Sequence, residues 1–264
     1  MASTGLDVNS GIKKCGSRIM RVLVYGYKGW IGSQFTQLLT ARAIQWVPGE
    51  QRADHPERIR TELIEKAPTH VVSLIGRTHG PGSATIDYLE SKGKLKDNVR
   101  DNLFAPMCLA LACKERGIHF TYLGTGCIFE YDEEHENAVE GKGFTEGSEP
   151  NFFGSSYSTV KGFTDQLMPL LGEGVLNLRI RMPITGEKHP RNFITKIAGY
   201  AKICSIPNSM SVLPDLLPAA LSLMERKYSG TINLTNPGVI SHNEVLAMYK
   251  EIVDREFAWE NFTL

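Results

Sequence analysis

The chain has 264 residues, 42% of them hydrophobic and 22% charged, enough to bury a sizeable core in one large domain or a domain with a smaller lobe. Lys plus Arg and Asp plus Glu are equal at 29 each, which argues against a basic field for nucleic acid or an anionic membrane surface, and no stretch approaches the roughly 20 apolar residues of a membrane span. The five cysteines (Cys15, Cys108, Cys113, Cys127 and Cys204) are odd in number and form no C-x-x-C pair, so neither a disulfide framework nor a metal site is suggested, and a reducing cytoplasm suits them.

Residues 1–19 contain Gly, Ser and Lys but no apolar h-region, and read as a disordered leader rather than a signal peptide. An apolar strand, Val22-Leu23-Val24, then runs straight into Gly26-Tyr27-Lys28-Gly29-Trp30-Ile31-Gly32 and a helical pattern. Gly26 would permit the tight turn, Gly29 the approach of a pyrophosphate, and Gly32 close packing of helix on sheet. The pyrophosphate would sit on the helix N-terminus, where open N–H groups and the dipole favour an anion. Gly is common at any turn, so it is the strand-glycine-helix context that favours a dinucleotide. Glu50 follows at roughly the 20-residue distance of an acid that holds the ribose 2′-OH of NAD. Arg52 beside it could take the 2′-phosphate of NADP, and a plain surface charge is the alternative for either.

Ile44–Val47 reads as a second strand and His70–Ile75 as a third, nearly continuous in apolar residues, as in a sheet covered on both faces. Val99–Arg116 carries Leu103, Met107 and Leu111 at helical spacing and ends at Gly117 before a strand over Ile118–Leu123. Glu130–Pro150 is polar and rich in glycine, a long loop leading to a helix over Ser156–Leu171. Leu176–Arg181 and Thr231–Leu234 read as further strands, and Ser241-His242-Asn243-Glu244 is a capping box before a final helix. This alternation predicts an α/β fold with a Rossmann-type doubly wound parallel sheet and ligands at the C-terminal strand ends. The expected division is a dinucleotide-binding domain over 20–178 and a small, mainly substrate-binding lobe over 179–264, with late strands returning to the sheet.

Tyr157 and Lys161 stand one helical turn apart, so the ammonium could lower the phenol pKa and let Tyr157 exchange a proton with a carbonyl. Such pairs arise often by chance, and the glycine-rich turn upstream is what strengthens this one. Thr125, just past the fourth strand, would orient a substrate carbonyl. Cys127 shares that strand-end turn. A lone cysteine is more often a small buried hydrophobe, but beside Thr125 a thiol tuned by a neighbour such as a lysine could exchange a proton with a carbon next to a ketone. Arg181, Arg191 and Lys196 concentrate donors after a strand, either as a phosphate clamp or as a solvated basic loop.

Taken together, the glycine turn, Thr125-Gly126-Cys127-Ile128-Phe129-Glu130-Tyr131-Asp132, Pro150-Asn151-Phe152, Tyr157-x-x-x-Lys161, Arg179-x-Arg181-Met182-Pro183-Ile184, Pro190-Arg191-Asn192-Phe193-Ile194-Thr195-Lys196, Ile206-Pro207-Asn208-Ser209-Met210 and Thr235 to Glu244 resemble the bifunctional nucleotide-sugar 3,5-epimerase/4-keto-reductases that complete UDP-rhamnose synthesis. More distantly the chain resembles dTDP-4-dehydrorhamnose reductases; both are extended short-chain dehydrogenase/reductases. The resemblance covers Arg21 to Leu264, and Gly76–Gly82 departs from the family's usual sequence. It implies inversion at C3 and C5 of a nucleotide-linked 4-keto-6-deoxyglucose, carrying UDP or dTDP, followed by reduction at C4.

Cys127 and Lys196 match the epimerisation residues. Tyr157 would stabilise the enolate and protonate O4, and Lys161 would bind the nicotinamide ribose and tune Tyr157. Asn151, Arg181, Arg191 and Asn192 would bind substrate, and Gly26, Lys28, Gly29, Trp30, Ile31, Gly32 and Arg52 the cofactor. The cofactor implied is NADPH, with NADH as alternative, and a separate 4,6-dehydratase would supply the substrate. A homodimer is compatible with this reading. Two rivals stand beside it: a reductase without epimerase activity, and a non-catalytic dinucleotide-binding subunit.

Overall fold

Val22 and Val24 of β1 (Arg21–Tyr25) enter one core, and Leu23 and Tyr25 enter another on the opposite face. That period-2 alternation, buried on both sides, is what a sheet sandwiched between helices requires. The computed structural model describes residues 19–82, 85–135 and 143–262, so the expected leader lies, except for Ile19, outside the described residues. Six parallel strands form the main sheet in the order β2-β1-β3-β4-β5-β8, where β2 is Gln45–Pro48, β3 His70–Ser73, β4 His119–Thr125, β5 Val175–Ile180 and β8 Gly230–Asn233. The strand order reverses between β1 and β3, and in open α/β sheets such a switch point opens a crevice.

One face is covered by α2 (Pro56–Lys66) and α5 (Ala105–Glu115), whose Ile59, Leu63, Leu109 and Cys113 pack with Phe120 and Tyr122, and by Met168 of α6 (Ser156–Leu170). The other is covered by α1 (Trp30–Ala41) and α8 (Leu213–Glu225) through Phe35, Leu39, Leu217, Leu221 and Met224. A third cluster, Ile197, Ile203, Met210, Val245 and Leu246, is the heart of a lobe built from α7 (Phe193–Ile197), α9 (His242–Ile252) and a two-stranded sheet of β6 (Pro183–Ile184) with β7 (Ser211–Val212). Ser241 and Glu244 form the capping box at the start of α9, as their spacing predicts.

Three expected boundaries shift for physical reasons. The third strand stops at Ser73, because the chain from Leu74 onward leaves the sheet to border the crevice. The fourth extends to Thr125, since β5 continues to pair with it as far as Ile180. The helix expected over Val99–Arg116 is already under way in α4 (Leu95–Val99) and passes through a π turn at Arg100–Phe104 before α5. There the Asn102 carbonyl accepts the Thr164 hydroxyl at 2.7 Å, which accommodates the widened turn, a feature common at functional sites.

Candidate active site

The glycine turn fits a dinucleotide by what it leaves out. Gly26 sits at φ 81°, and a Cβ there would lie 2.8 Å from the Leu74 carbonyl carbon; a Cβ on Gly32 would lie 2.1 Å from the Gly26 oxygen. Gly29 caps α1 without a side-chain hydrogen bond, so the first N–H groups of the helix face the cleft, as an anion requires. Trp30 stacks on His189 of the lobe with ring centroids 5.0 Å apart. Gly26, Lys28, Gly49 and Glu50 line the part of the crevice beside β2. Buried Glu62 fixes this edge: it accepts the Tyr25 hydroxyl at 2.5 Å and the Glu50 N–H at 2.7 Å. Arg52 does not line this space and is engaged by Asp54 at 2.9 and 2.7 Å, while Glu50 pairs with Lys66 at 3.2 Å.

Past the glycine turn, a cleft of about 350 Å³ is bordered by Thr125, Cys127, Tyr157, Lys161, Arg181, Arg191 and Lys196, bringing the five expected catalytic residues to one place with two of the expected substrate arginines. Thr125 ends β4, and its hydroxyl oxygen accepts the Cys127 N–H at 3.1 Å. The same hydroxyl lies beside the Cys127 thiol and the Tyr157 phenol and favours the charged form of each. Burial pushes the Cys127 thiol up, but the Arg181 charge, the Thr125 hydroxyl and Lys161 outweigh it, and the thiol sits below its ordinary range. The tuning neighbour in contact is thus an arginine rather than a lysine: Arg181 Nη1 donates to Cys127 Sγ at 2.7 Å.

Tyr157 departs from expectation. Burial and the adjacent Cys127 charge hold its phenol well above the usual tyrosine range, against the smaller downward pull of Thr125 and Arg181. Lys161 does not bond it; the ammonium donates to the buried Tyr122 hydroxyl at 2.5 Å. Burial lowers Lys161 to about 8, with Asp165 and Cys127 pulling the other way. Tyr157 is therefore a neutral proton donor here. Lys196, on α7, is lowered by burial and by Arg191, and its side chain makes no hydrogen bond or ion pair among the described residues.

Two expected substrate ligands are engaged by the protein itself. Asn192 is 3% exposed; its oxygen caps α7 at Ile194 N–H, and its amide donates to the carbonyls of Thr185 and Glu187. Asn151 bonds the Glu130 N–H and carbonyl and the Asp132 carboxylate, tying down the loop after β4. Polar residues that hold loops and polar residues that hold ligands look alike in a sequence. Arg191 does border the cleft, where it donates to His79 Nε2 at 2.6 Å; burial, then Arg191, lowers the His79 pKa and keeps the ring neutral.

The sequence reading also passed over Glu90 and Asn102. Glu90, ending the short helix α3 (Asp87–Glu90), accepts the N–H groups of Ser156 and Tyr157 at 2.8 and 3.1 Å. Asn102 clasps the loop beyond β3 through the N–H and carbonyl of Arg77, both at 3.0 Å, and bonds Asn98, which reaches Ser156. Asn98 and Asn102 stand one helical turn apart, and that spacing was the available signal.

No protein-family profile matches the chain. A solved structure of a UDP-rhamnose synthase from Acanthamoeba polyphaga mimivirus is similar with a TM-score of 0.88 at 53% identity, over 92% of this chain and 84% of the other. A bifunctional dTDP-4-dehydrorhamnose 3,5-epimerase/dTDP-4-dehydrorhamnose reductase of Arabidopsis thaliana is 42% identical over 243 residues, 92% of this chain and 78% of that protein. A trifunctional UDP-glucose 4,6-dehydratase/UDP-4-keto-6-deoxy-D-glucose 3,5-epimerase/UDP-4-keto-L-rhamnose-reductase of the same plant is 40% identical over 93% of this chain but only 36% of its own length.

Proposed function

The chain belongs to the family of bifunctional nucleotide-sugar 3,5-epimerase/4-keto-reductases, and from that membership we propose that it converts UDP-linked 4-keto-6-deoxyglucose to UDP-L-rhamnose, epimerising C3 and C5 and reducing C4 with NADPH. The observation that carries this is the contact of Cys127, Thr125 and Tyr157 in one cleft with Lys196, because a reductase alone needs the tyrosine but not the cysteine and second lysine.

The ketone at C4 acidifies the protons on C3 and C5. Cys127 removes such a proton, Thr125 and Tyr157 hold the enolate oxygen by hydrogen bonds, and Lys196 returns a proton on the opposite face. When bound, the nicotinamide supplies hydride to C4. Tyr157 gives its phenolic proton to O4, the nearby Lys161 ammonium stabilises the phenolate left behind, and solvent returns the proton. Arg191 and its partner His79 are placed to steady the nucleotide portion. Lys28, with no hydrogen bond or ion pair among the described residues, supports the 2′-phosphate of NADPH better than Arg52 does, which would first have to leave Asp54.

The matched part of the plant trifunctional protein supports a separate 4,6-dehydratase as the source of the substrate. No helix among the described residues is long and apolar enough to cross a membrane, and the cysteines described are unpaired, which supports a reducing compartment such as the cytoplasm. Exposed Leu111 on α5 and Phe163, Leu167 and Leu170 on α6 support a homodimer through these helices.

The test is NMR of the sugar product after incubation with UDP-4-keto-6-deoxyglucose and NADPH in deuterated water, beside an enzyme-free control. Rhamnose carrying deuterium at C3 and C5 is expected. A reduced sugar without enzyme-dependent exchange would reduce the assignment to reductase, and exchange at a higher rate with the dTDP-linked sugar would change the nucleotide.

A further inference from the structure

Neither engaged end of the Arg181 guanidinium is free for a phosphate. Nη1 donates to Cys127 Sγ at 2.7 Å and Nε to Asn208 Oδ1 at 3.0 Å. Its backbone is pinned as well, the N–H donating to Ser211 Oγ at 3.0 Å and the carbonyl accepting the Ser211 N–H at 2.7 Å. Met182 follows at φ 44°, a left-handed conformation that side chains other than glycine rarely adopt, and this kink separates β5 from β6 just where Arg181 reaches across the end of β4. A side chain held this way suits a fixed charge better than a ligand clamp that must engage and release.

The other titratable or charged groups facing the thiol are Tyr157 and Lys161 from α6 and Lys196 from α7. Of the cations, Arg181 alone is in hydrogen-bond contact with the sulfur among the described residues. Its chemistry fits that place. A guanidinium keeps its proton at any working pH, so it can hold an anion without neutralising it, whereas a lysine could surrender its proton to the thiolate.

We propose that Arg181 is the positioning residue that keeps Cys127 as a thiolate, and so makes Cys127 the group that removes the proton in epimerisation, with Asn208 holding Arg181 in place. This rests on the reading of Cys127 as an epimerisation residue. In the step, a sulfur lone pair takes the proton from the carbon beside the C4 ketone, and the C–H electron pair moves into the enolate C=C while the carbonyl electrons go to oxygen. The enolate collapses back to the ketone as the Lys196 ammonium delivers a proton to the opposite face. Thiol and amine remain, and proton exchange restores thiolate and ammonium with no net gain or loss.

Two measurements on the full chain test this. The first is the pH dependence of iodoacetamide alkylation at Cys127, read by peptide mass so that other cysteines do not interfere. The second is the ratio of deuterium exchange into UDP-4-keto-6-deoxyglucose to NADPH consumption on the already epimerised 4-keto sugar. In Arg181→Gln, the alkylation midpoint should rise by at least one pH unit and the ratio should fall at least tenfold. Asn208→Ala, which leaves Arg181 present but untethered, should move both in the same direction by less, and it keeps the test available should Arg181→Gln fold poorly. An alkylation profile superimposable on the unmodified protein in both variants would overturn the proposal, as would equal losses in exchange and reduction with that profile unchanged, the signature of a phosphate clamp. Full exchange in Cys127→Ser would instead overturn the assignment of Cys127 and the catalytic half of the proposal with it, whatever the alkylation shows.

Discussion

Glu90 Oε1 accepts the backbone N–H of Tyr157 at 3.1 Å, so the residue that presents the phenol is held from outside its own helix. The other carboxylate oxygen takes the N–H of Ser156, and the negative charge lies against the positive end of the α6 dipole. Glu90→Ala should destabilise the protein by about 1 kcal/mol and lower kcat for reduction severalfold with a smaller change in KM, while Glu90→Gln, still an acceptor, should recover part of the kcat. Thermal unfolding and steady-state kinetics on the three proteins check this, and an unchanged kcat in the alanine variant would remove Glu90 from the machinery.

Lys161 is lowered to about 8 by burial, so its ammonium, present below that pH, is lost as the pH rises through it. Reduction should therefore fall on an alkaline limb with a midpoint near 8 in kcat/KM. Lys161→Arg, whatever its residual rate, should push the limb out of range. Tyr157→Phe should cost at least about 100-fold at every pH, because the other hydroxyl bordering the cleft, that of Thr125, is an aliphatic alcohol and a weaker acid than a phenol. A Phe variant that reduces at the full rate would refute the assignment.

The most deeply buried ion pair among the described residues lies behind the site. Arg179 and Asp165, each with side chains 4% exposed, meet at 2.6 and 2.9 Å, and the same guanidinium donates to the carbonyls of Thr145 and Ser148. Arg179→Met or Asp165→Asn alone should cost about 3–5 kcal/mol by stranding the partner's charge. Combining Arg179→Met with Asp165→Leu should cost less than the two single changes summed, as measured by urea unfolding.

At the opposite end of the strands, the tilted rings of His70 and His119 lie with centroids 5.3 Å apart in the core. Burial lowers both, His70 to about 4; the charges of His119 and Lys227 press His70 further down, and Lys227 does the same to His119. The folded pKa values are below the unfolded ones, so the unfolded chain binds the extra protons. Stability is then full above about pH 6.5 and declines as the pH falls toward 4, by about 1.4 kcal/mol per pH unit for each histidine that titrates. Denaturant midpoints measured between pH 7.5 and 5 should show that slope, and His70→Asn should flatten it even if it lowers the midpoint throughout.

Strand-helix alternation, the glycine turn and the capping box were legible because each is local: it needs only the periodicity or the φ freedom of neighbouring residues. So were Thr125, Cys127, Tyr157 and Lys161, since strand-end position and helical spacing are sequence properties. The partner of the Asn151 amide was not legible, because whether an amide faces backbone or cleft can depend on a segment far from it, here Glu130. The contacts of Arg181 and Glu90 were illegible for the same reason. Their partners, Cys127 and the start of α6, lie 54 and 66 positions away, and only the assembled sheet brings them within hydrogen-bond reach. The Lys161–Tyr122 bond likewise needed β4 and α6 packed together before burial could compete with charge.

The Thr125 hydroxyl carries a single hydrogen and faces two acids. It can be donated to sulfur or to the phenolic oxygen, never to both at once, and a negative charge on either makes a second one harder to form. A charge on the Cys127 sulfur thus opposes ionisation of the Tyr157 phenol, so the thiol that handles carbon-bound protons also keeps the proton of its neighbour in place.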